Sequence, residues 1–136
     1  MADFIVTAAN VDAPANPNAK ALVAGEAITA GMPVYKLAAD GKAYKALNDT
    51  DAHADFVGIA VCDAMAGQVV AYVSNGSVTY GAIFAAKGVI VCVSNAAGAL
   101  APLADISATG ERLMIIGVTT DDSTLKLNKW NTGVTF

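Results

Sequence analysis

Short apolar runs joined by turn dipeptides recur along this chain, and they restrict it to one class of fold. Val34 to Leu37 leads into an Asp40-Gly turn, after which Ala43 to Leu47 returns. An Asn75-Gly turn precedes Ser77 to Tyr80 in the same way. Asp-Gly and Asn-Gly between apolar runs are strong hairpin signals. Because the runs are short and closely spaced, the sequence predicts an all-β fold, a small antiparallel β-barrel or sandwich.

The same pattern continues towards the C-terminal end. Further strands are predicted at Phe56 to Val61, Gln68 to Val73, Gly88 to Val93, Leu113 to Thr119 and Leu125 to Leu127. Helical signal is weak, so we expect at most short helical turns. The best candidate is Asp51 to Ala54, with Asp49 or Thr50 as the N-cap.

Two of the predicted strands are apolar on both faces. Val89 to Val93 and Leu113 to Ile116 show no alternation between apolar and polar positions. A strand of this kind is usually buried on both sides. We therefore expect the outside of the sheet to be covered at these strands by another element or another subunit.

Residues 1–20 differ from the rest of the chain. A β-like run from Phe4 to Ala8 precedes a segment rich in Pro and Asn, from Asn10 to Asn18. Such composition disfavours both helix and central strand. The sequence thus predicts an extended N-terminal arm (1–20) ahead of the β-domain (21–136). The arm either docks on a partner or is a disordered tail, and deleting residues 2–18 is expected to leave the domain folded.

Composition favours contact with other proteins. Hydrophobic residues make up 55% of the 136 residues and charged residues 15%, against a usual charged share of about 25%. Apolar surface left outside a core usually marks protein–protein contact, so we expect a homo-oligomer. The net charge of −4 and the scattered basic residues do not predict nucleic-acid binding.

No targeting or membrane segment is predicted. The N-terminal residues lack the basic and long apolar regions of a signal peptide. The apolar stretch from Tyr80 to Val93 is interrupted by Gly81, Lys87 and Gly88, and it is shorter than the roughly 20 residues of a membrane helix. Synthesis in the cytoplasm, without a membrane partner, is the expectation.

The sequence predicts no catalytic, cofactor-binding or metal-ligating residues, and hence no enzyme. His53 is the only histidine, so one chain cannot assemble a Ser-His-Asp triad or a histidine-rich zinc site. We expect His53 to cap or pack on its short turn, and Asp49, Asp51 and Asp55 to be turn residues. Cys62 and Cys92 lie in apolar runs without metal-ligand spacing. Free, buried thiols are favoured over a disulfide.

Several motifs, in this order, resemble the capsid cement (decoration) proteins of tailed bacteriophages. They are Gly25 to Tyr35, Asp40 to Tyr44, Asp51 to Ala54, Phe56 to Ala60 and Gly67 to Val70. The resemblance extends over most of residues 20–120. It implies an all-β domain that forms oligomers, often trimers, on the outside of the head. It further implies a structural virion protein, without enzymatic activity, that clamps adjacent subunits of the major capsid protein.

Six residues are candidate contacts with the capsid or another partner: Phe4, Ile5, Val6, Lys36, Lys42 and Lys45. The first three are the apolar part of the arm, which is suited to adding a strand to an exposed sheet edge. The three lysines lie on the first hairpin, where they either protect an edge strand or meet an acidic capsid surface. A phage tail or receptor-binding module and a small-ligand-binding β-barrel remain as alternative functions.

Overall fold

A computed structural model describes residues 3–12 and 19–136, and these residues are largely β-structure. In chain order the strands are β1 (Lys20–Val23), β2 (Pro33–Lys36), β3 (Ala43–Lys45), β4 (Gly58–Ala60), β5 (Val69–Val73), β6 (Gly76–Thr79), β7 (Ile90–Val93), β8 (Leu100–Pro102), β9 (Arg112–Thr119) and β10 (Thr124–Thr135). The helix α1 (Asp51–Ala54) and two 3₁₀ turns, Ala8–Asn10 and Leu103–Asp105, complete the elements.

The all-β prediction is confirmed, and every strand predicted from the sequence overlaps an observed one. The helical turn at Asp51 to Ala54 is confirmed as well. Its N-cap is Thr50, whose Oγ1 accepts a hydrogen bond from the backbone N–H of His53 at 3.1 Å. The sequence missed β1 and β8, and it ended β10 at Leu127. A strand that contains Pro102 is tolerated because β8 lies at the edge of its sheet.

The ten strands form two five-stranded antiparallel sheets with the same strand order. The first sheet runs β1-β5-β4-β2-β3 and the second runs β6-β10-β9-β7-β8. The strand numbers at equivalent places therefore differ by five, so that β6 corresponds to β1, β7 to β2 and β10 to β5. Glycines lie at equivalent places in the two sheets: Gly31 and Gly88, Gly41 and Gly98, and Gly58 and Gly117. The chain is built from two copies of one supersecondary unit.

The third glycine pair shows the physical requirement for this repeat. Gly58 pairs with Val34 in the first sheet, and Gly117 pairs with Val91 in the second. A Cβ at Gly58 would lie 2.5 Å from the carbonyl oxygen of Val73, and one at Gly117 would lie closer still to the backbone of the adjacent strand. Because neither backbone leaves room for a side chain, both positions need glycine.

The first sheet curls until its two edges meet. Ala24, directly after β1, pairs in parallel with Ala43 on β3, and the Gly25 N–H donates to the Ala43 carbonyl oxygen at 2.8 Å. The interior is narrow and is filled mainly by small side chains and by residues from the loops. They are Ala24, Ile28, Val34, Ala43, Ala60, Ala64, Val70 and Tyr72.

The edges of the second sheet are instead met by the N-terminal segment (residues 3–12). The Phe4 N–H donates to the Leu100 carbonyl oxygen of β8 at 2.9 Å. Asp12 and Thr79 of β6 exchange two backbone hydrogen bonds, of 3.0 and 2.7 Å. Between these two points the segment crosses the core of its own chain. The predicted arm thus includes ordered contacts with the domain, while residues 13–18 lie outside the described residues.

The main core lies between the two sheets. From the first sheet it receives Tyr35, Ile59 and Val73, and from the second it receives eight residues: Val78, Val91, Val93, Leu100, Met114, Ile116, Leu125 and Leu127. The other face of the second sheet is partly covered by the loop after β8. There Ile106 packs with Cys92 and Ala101. The expected cover over the doubly apolar strands is therefore supplied, in part, by the same chain.

Candidate interaction surfaces

The three lysines predicted as contacts lie on the β2–β3 hairpin. Lys36 and Lys42 are exposed. Lys45 is half-buried, and its Nζ forms an ion pair with Glu26 at 3.6 Å. The Lys45 backbone N–H also donates to the same carboxylate at 3.1 Å. Lys36 and Lys42 are thus available to an acidic partner, whereas Lys45 is engaged within its own chain.

The three predicted N-terminal contacts divide in a similar way. The ring of Phe4 meets that of Phe84 edge to face, with centroids 5.1 Å apart, and Val6 packs against the main core. Ile5 points away from that core and is 84% exposed. Of the three residues, Ile5 is the one left open to a partner in this structure.

The aspartates around α1 are engaged in contacts with cationic or aromatic neighbours. The Asp49 carboxylate lies 2.7 Å from Nδ1 of His53, whose ring stacks at 5.1 Å on Tyr35. Asp51 accepts from Nε of Arg112 at 3.2 Å. His53 therefore packs on its short turn, as predicted. Among residues 3–12 and 19–136, no group of three or more His, Cys, Asp or Glu side chains is placed to hold a metal ion.

Both cysteines are free thiols, as predicted. Cys92 is fully buried, and burial raises the pKa of its thiol to about 12. Cys62 is only half-buried, which differs from the prediction, because it lies at the end of β4, where its Sγ accepts from the Ala71 N–H at 3.3 Å.

Alkylation of the native protein should distinguish these two thiols. At about pH 8 we expect an iodoacetamide-type reagent to modify Cys62 and to leave Cys92 unmodified, because a buried thiol forms little reactive thiolate. In denaturant both residues should react, and peptide mass spectrometry would locate the label. Equal labelling of the two cysteines in the native protein would contradict the buried position of Cys92.

A buried polar joint connects the two sheets. Asn48, ahead of α1, donates from Nδ2 to the Val93 carbonyl oxygen at 3.1 Å and to the Glu111 carboxylate at 3.0 Å. The other Glu111 oxygen accepts from the backbone N–H groups of Ser107 and Ala108 at 3.3 and 2.7 Å. Glu111 is only 7% exposed. Because each Glu111 oxygen has a donor, this buried carboxylate holds the loop before α1 next to the loop between β8 and β9.

The outer face of the second sheet carries an apolar surface in which two rows of side chains from neighbouring strands lie side by side. One cross-strand row consists of Ile90, Val118, Lys126 and Ser77, and the next consists of Ala101, Cys92, Ile115 and Trp130. Trp130 is 64% exposed and Val118 is 38% exposed. We call Ile90, Ile115, Val118, Lys126 and Trp130 the outer patch.

The sequence analysis did not identify Trp130 as a candidate. The alternation of Leu125, Lys126 and Leu127 predicts a strand, but a bulge after Leu127 shifts the register before Trp130 pairs with Ile115. This extra residue breaks the period of two on which strand prediction relies. One sign of an exposed strand remained in the sequence after Leu127. Polar residues continue there on both sides of the single tryptophan, Trp130.

No described helix, in residues 3–12 or 19–136, is long and apolar enough to cross a membrane. No protein-family model matches the sequence, and no curated protein matches it either.

Proposed function

We propose that this chain is a structural virion protein that binds the outer surface of a phage capsid and stabilises it by bridging adjacent major capsid subunits. The observation that carries the proposal is the ordered set of motifs between Gly25 and Val70, which resembles capsid cement proteins. These motifs form one continuous unit, from the turn before β2 to β5. The proposal includes assembly as a homotrimer and assigns no chemical reaction to the chain.

The physical character of the domain supports this function. A bridging protein has to be rigid and has to present surface that binds other proteins. Two sheets packed on a common core meet the first condition. The outer patch, which is apolar and carries a single charge, meets the second. A ligand-binding barrel is less well supported, since side chains fill the interior of the first sheet.

Particles of the encoding phage that lack this protein provide the test. Purified protein added to such particles should bind saturably, and electron microscopy should place it on the head. Sedimentation of the free protein should give the mass of a trimer. Density on the tail alone would favour the tail-module alternative, and absence of binding to any part of the particle would refute the proposal.

A further inference from the structure

The repeated fold unit shows that the same sheet face is an interface in one copy and only partly covered in the other. In the first sheet, Ile59 follows the repeat glycine Gly58, is fully buried and pairs with the core residue Val73. The equivalent residue of the second sheet is Val118, which follows Gly117 and is 38% exposed. The face that the first copy packs against its neighbouring sheet therefore has a counterpart that the described residues leave exposed at Val118 and Trp130.

The strand segment that carries Trp130 is ordered by contacts of the residue before it. The preceding residue, Lys129, forms an ion pair with Asp55 at the C-terminal end of α1, and its Nζ lies 5.3 Å from the centroid of the Phe56 ring. The backbone of β10 is thus anchored next to an exposed indole. Tryptophan is enriched among the residues that dominate binding energy, and a strand segment that is already ordered loses less conformational freedom on binding.

The charge of the outer patch differs in sign from the charge of the chain. The chain has 12 acidic and 8 basic residues, yet the two cross-strand rows contain Lys126 and no carboxylate. A two-fold contact between two such patches would bring the two copies of Lys126 towards each other. A different protein that presents apolar side chains bordered by carboxylates complements both the apolar character and the positive charge of the patch.

From these observations we infer that the outer patch is the surface by which the chain binds its capsid partner, and that the partner's site is apolar with an acidic border. This inference rests on the proposed function and identifies the contact within it. It assigns the main role to Trp130, Val118 and Lys126, beside the hairpin lysines and the N-terminal residues that the sequence suggested.

Matched variants on the two sheets test the inference. Trp130→Ala removes the exposed indole, and Met65→Ala truncates a residue of the first sheet's side that is also 64% exposed. Lys126→Glu reverses the charge of the patch, and Lys20→Glu reverses an exposed charge on β1 of the first sheet. Binding of each purified protein to phage particles that lack the chain is measured by sedimentation with the particles, at low and high salt. Circular dichroism confirms that each variant is folded.

We expect Trp130→Ala and Lys126→Glu each to weaken binding at least about tenfold. Met65→Ala and Lys20→Glu should change it less than about twofold. Added salt should weaken binding of the wild type and have a smaller effect on Lys126→Glu. If the wild type binds and both patch variants bind equally well, the inference is overturned. It is also overturned if the patch variants lose only self-association, which would make a second copy the occupant. If the wild type does not bind, the proposed function itself fails.

Discussion

Removal of residues 1–12 is expected to lower the free energy of unfolding by about 4 kcal/mol or more. The segment contributes the partly buried Phe4, Val6 and Val11 to the main core, and it forms backbone hydrogen bonds with β8 and β6. Because a domain is stable by only about 5–15 kcal/mol, the truncated chain should be close to unfolding at room temperature. Chemical denaturation, followed by circular dichroism, measures the loss.

This expectation reverses the one drawn from the sequence, where deletion of the arm was expected to leave the domain folded. Phe4→Ala should reproduce part of the loss, since its ring contacts Phe84 at 5.1 Å. Ile5→Ala is the matched control, and it should cost less than about 0.5 kcal/mol because Ile5 is 84% exposed. A truncated chain as stable as the full chain would show that the N-terminal segment is not part of the core.

Glu111→Ala is expected to destabilise the protein by about 3 kcal/mol. The substitution removes one of the two acceptors of the Asn48 side-chain amide and the acceptor of the Ser107 and Ala108 N–H groups. Asn48 is fully buried, so its Nδ2 would keep only the Val93 carbonyl oxygen as a partner. Thermal unfolding should show a clearly lower melting temperature.

Glu26→Ala provides the matched control for Glu111→Ala, since it truncates the same type of side chain. Glu26 is 38% exposed and pairs with Lys45 at the surface, where an ion pair contributes at most about 1 kcal/mol. The two variants should therefore differ clearly in stability. Equal losses for Glu26→Ala and Glu111→Ala would mean that the buried joint is no more important than a surface ion pair.

The N-terminal segment, which the sequence predicted as a contact surface, and the outer patch, which it did not predict, have different surroundings in the folded chain. Apolar residues near the N-terminus, such as Phe4, serve the core of their own chain. Trp130, which lies in a strand extension without a counterpart in β5, stays exposed. Exposure in the folded chain, rather than apolar character in the sequence, therefore decides which residue is available to a partner.

The sequence by itself determined the fold class, because strand length and turn chemistry are local properties. The Asp40-Gly turn, the helical turn at Asp51 to Ala54 and the alternation in β10 up to Leu127 needed no distant contact to be recognised. The five residues 56–60 (Phe-Val-Gly-Ile-Ala) are similar to residues 115–119 (Ile-Ile-Gly-Val-Thr). Five positions are too few to establish a repeat, which the shared strand order of the two sheets shows.

Only the tertiary structure decided which faces and edges are covered. β1 and β8 became strands because neighbouring strands pair with them, and their own residues carry little signal. The N-terminal segment is joined to the domain because Phe4 pairs with Leu100, a residue that is distant from it in sequence. Val118 and Ile59 follow equivalent glycines, yet one is exposed and the other is buried. The physical reason is that burial of a strand face depends on what packs against it, and that neighbour is distant in sequence.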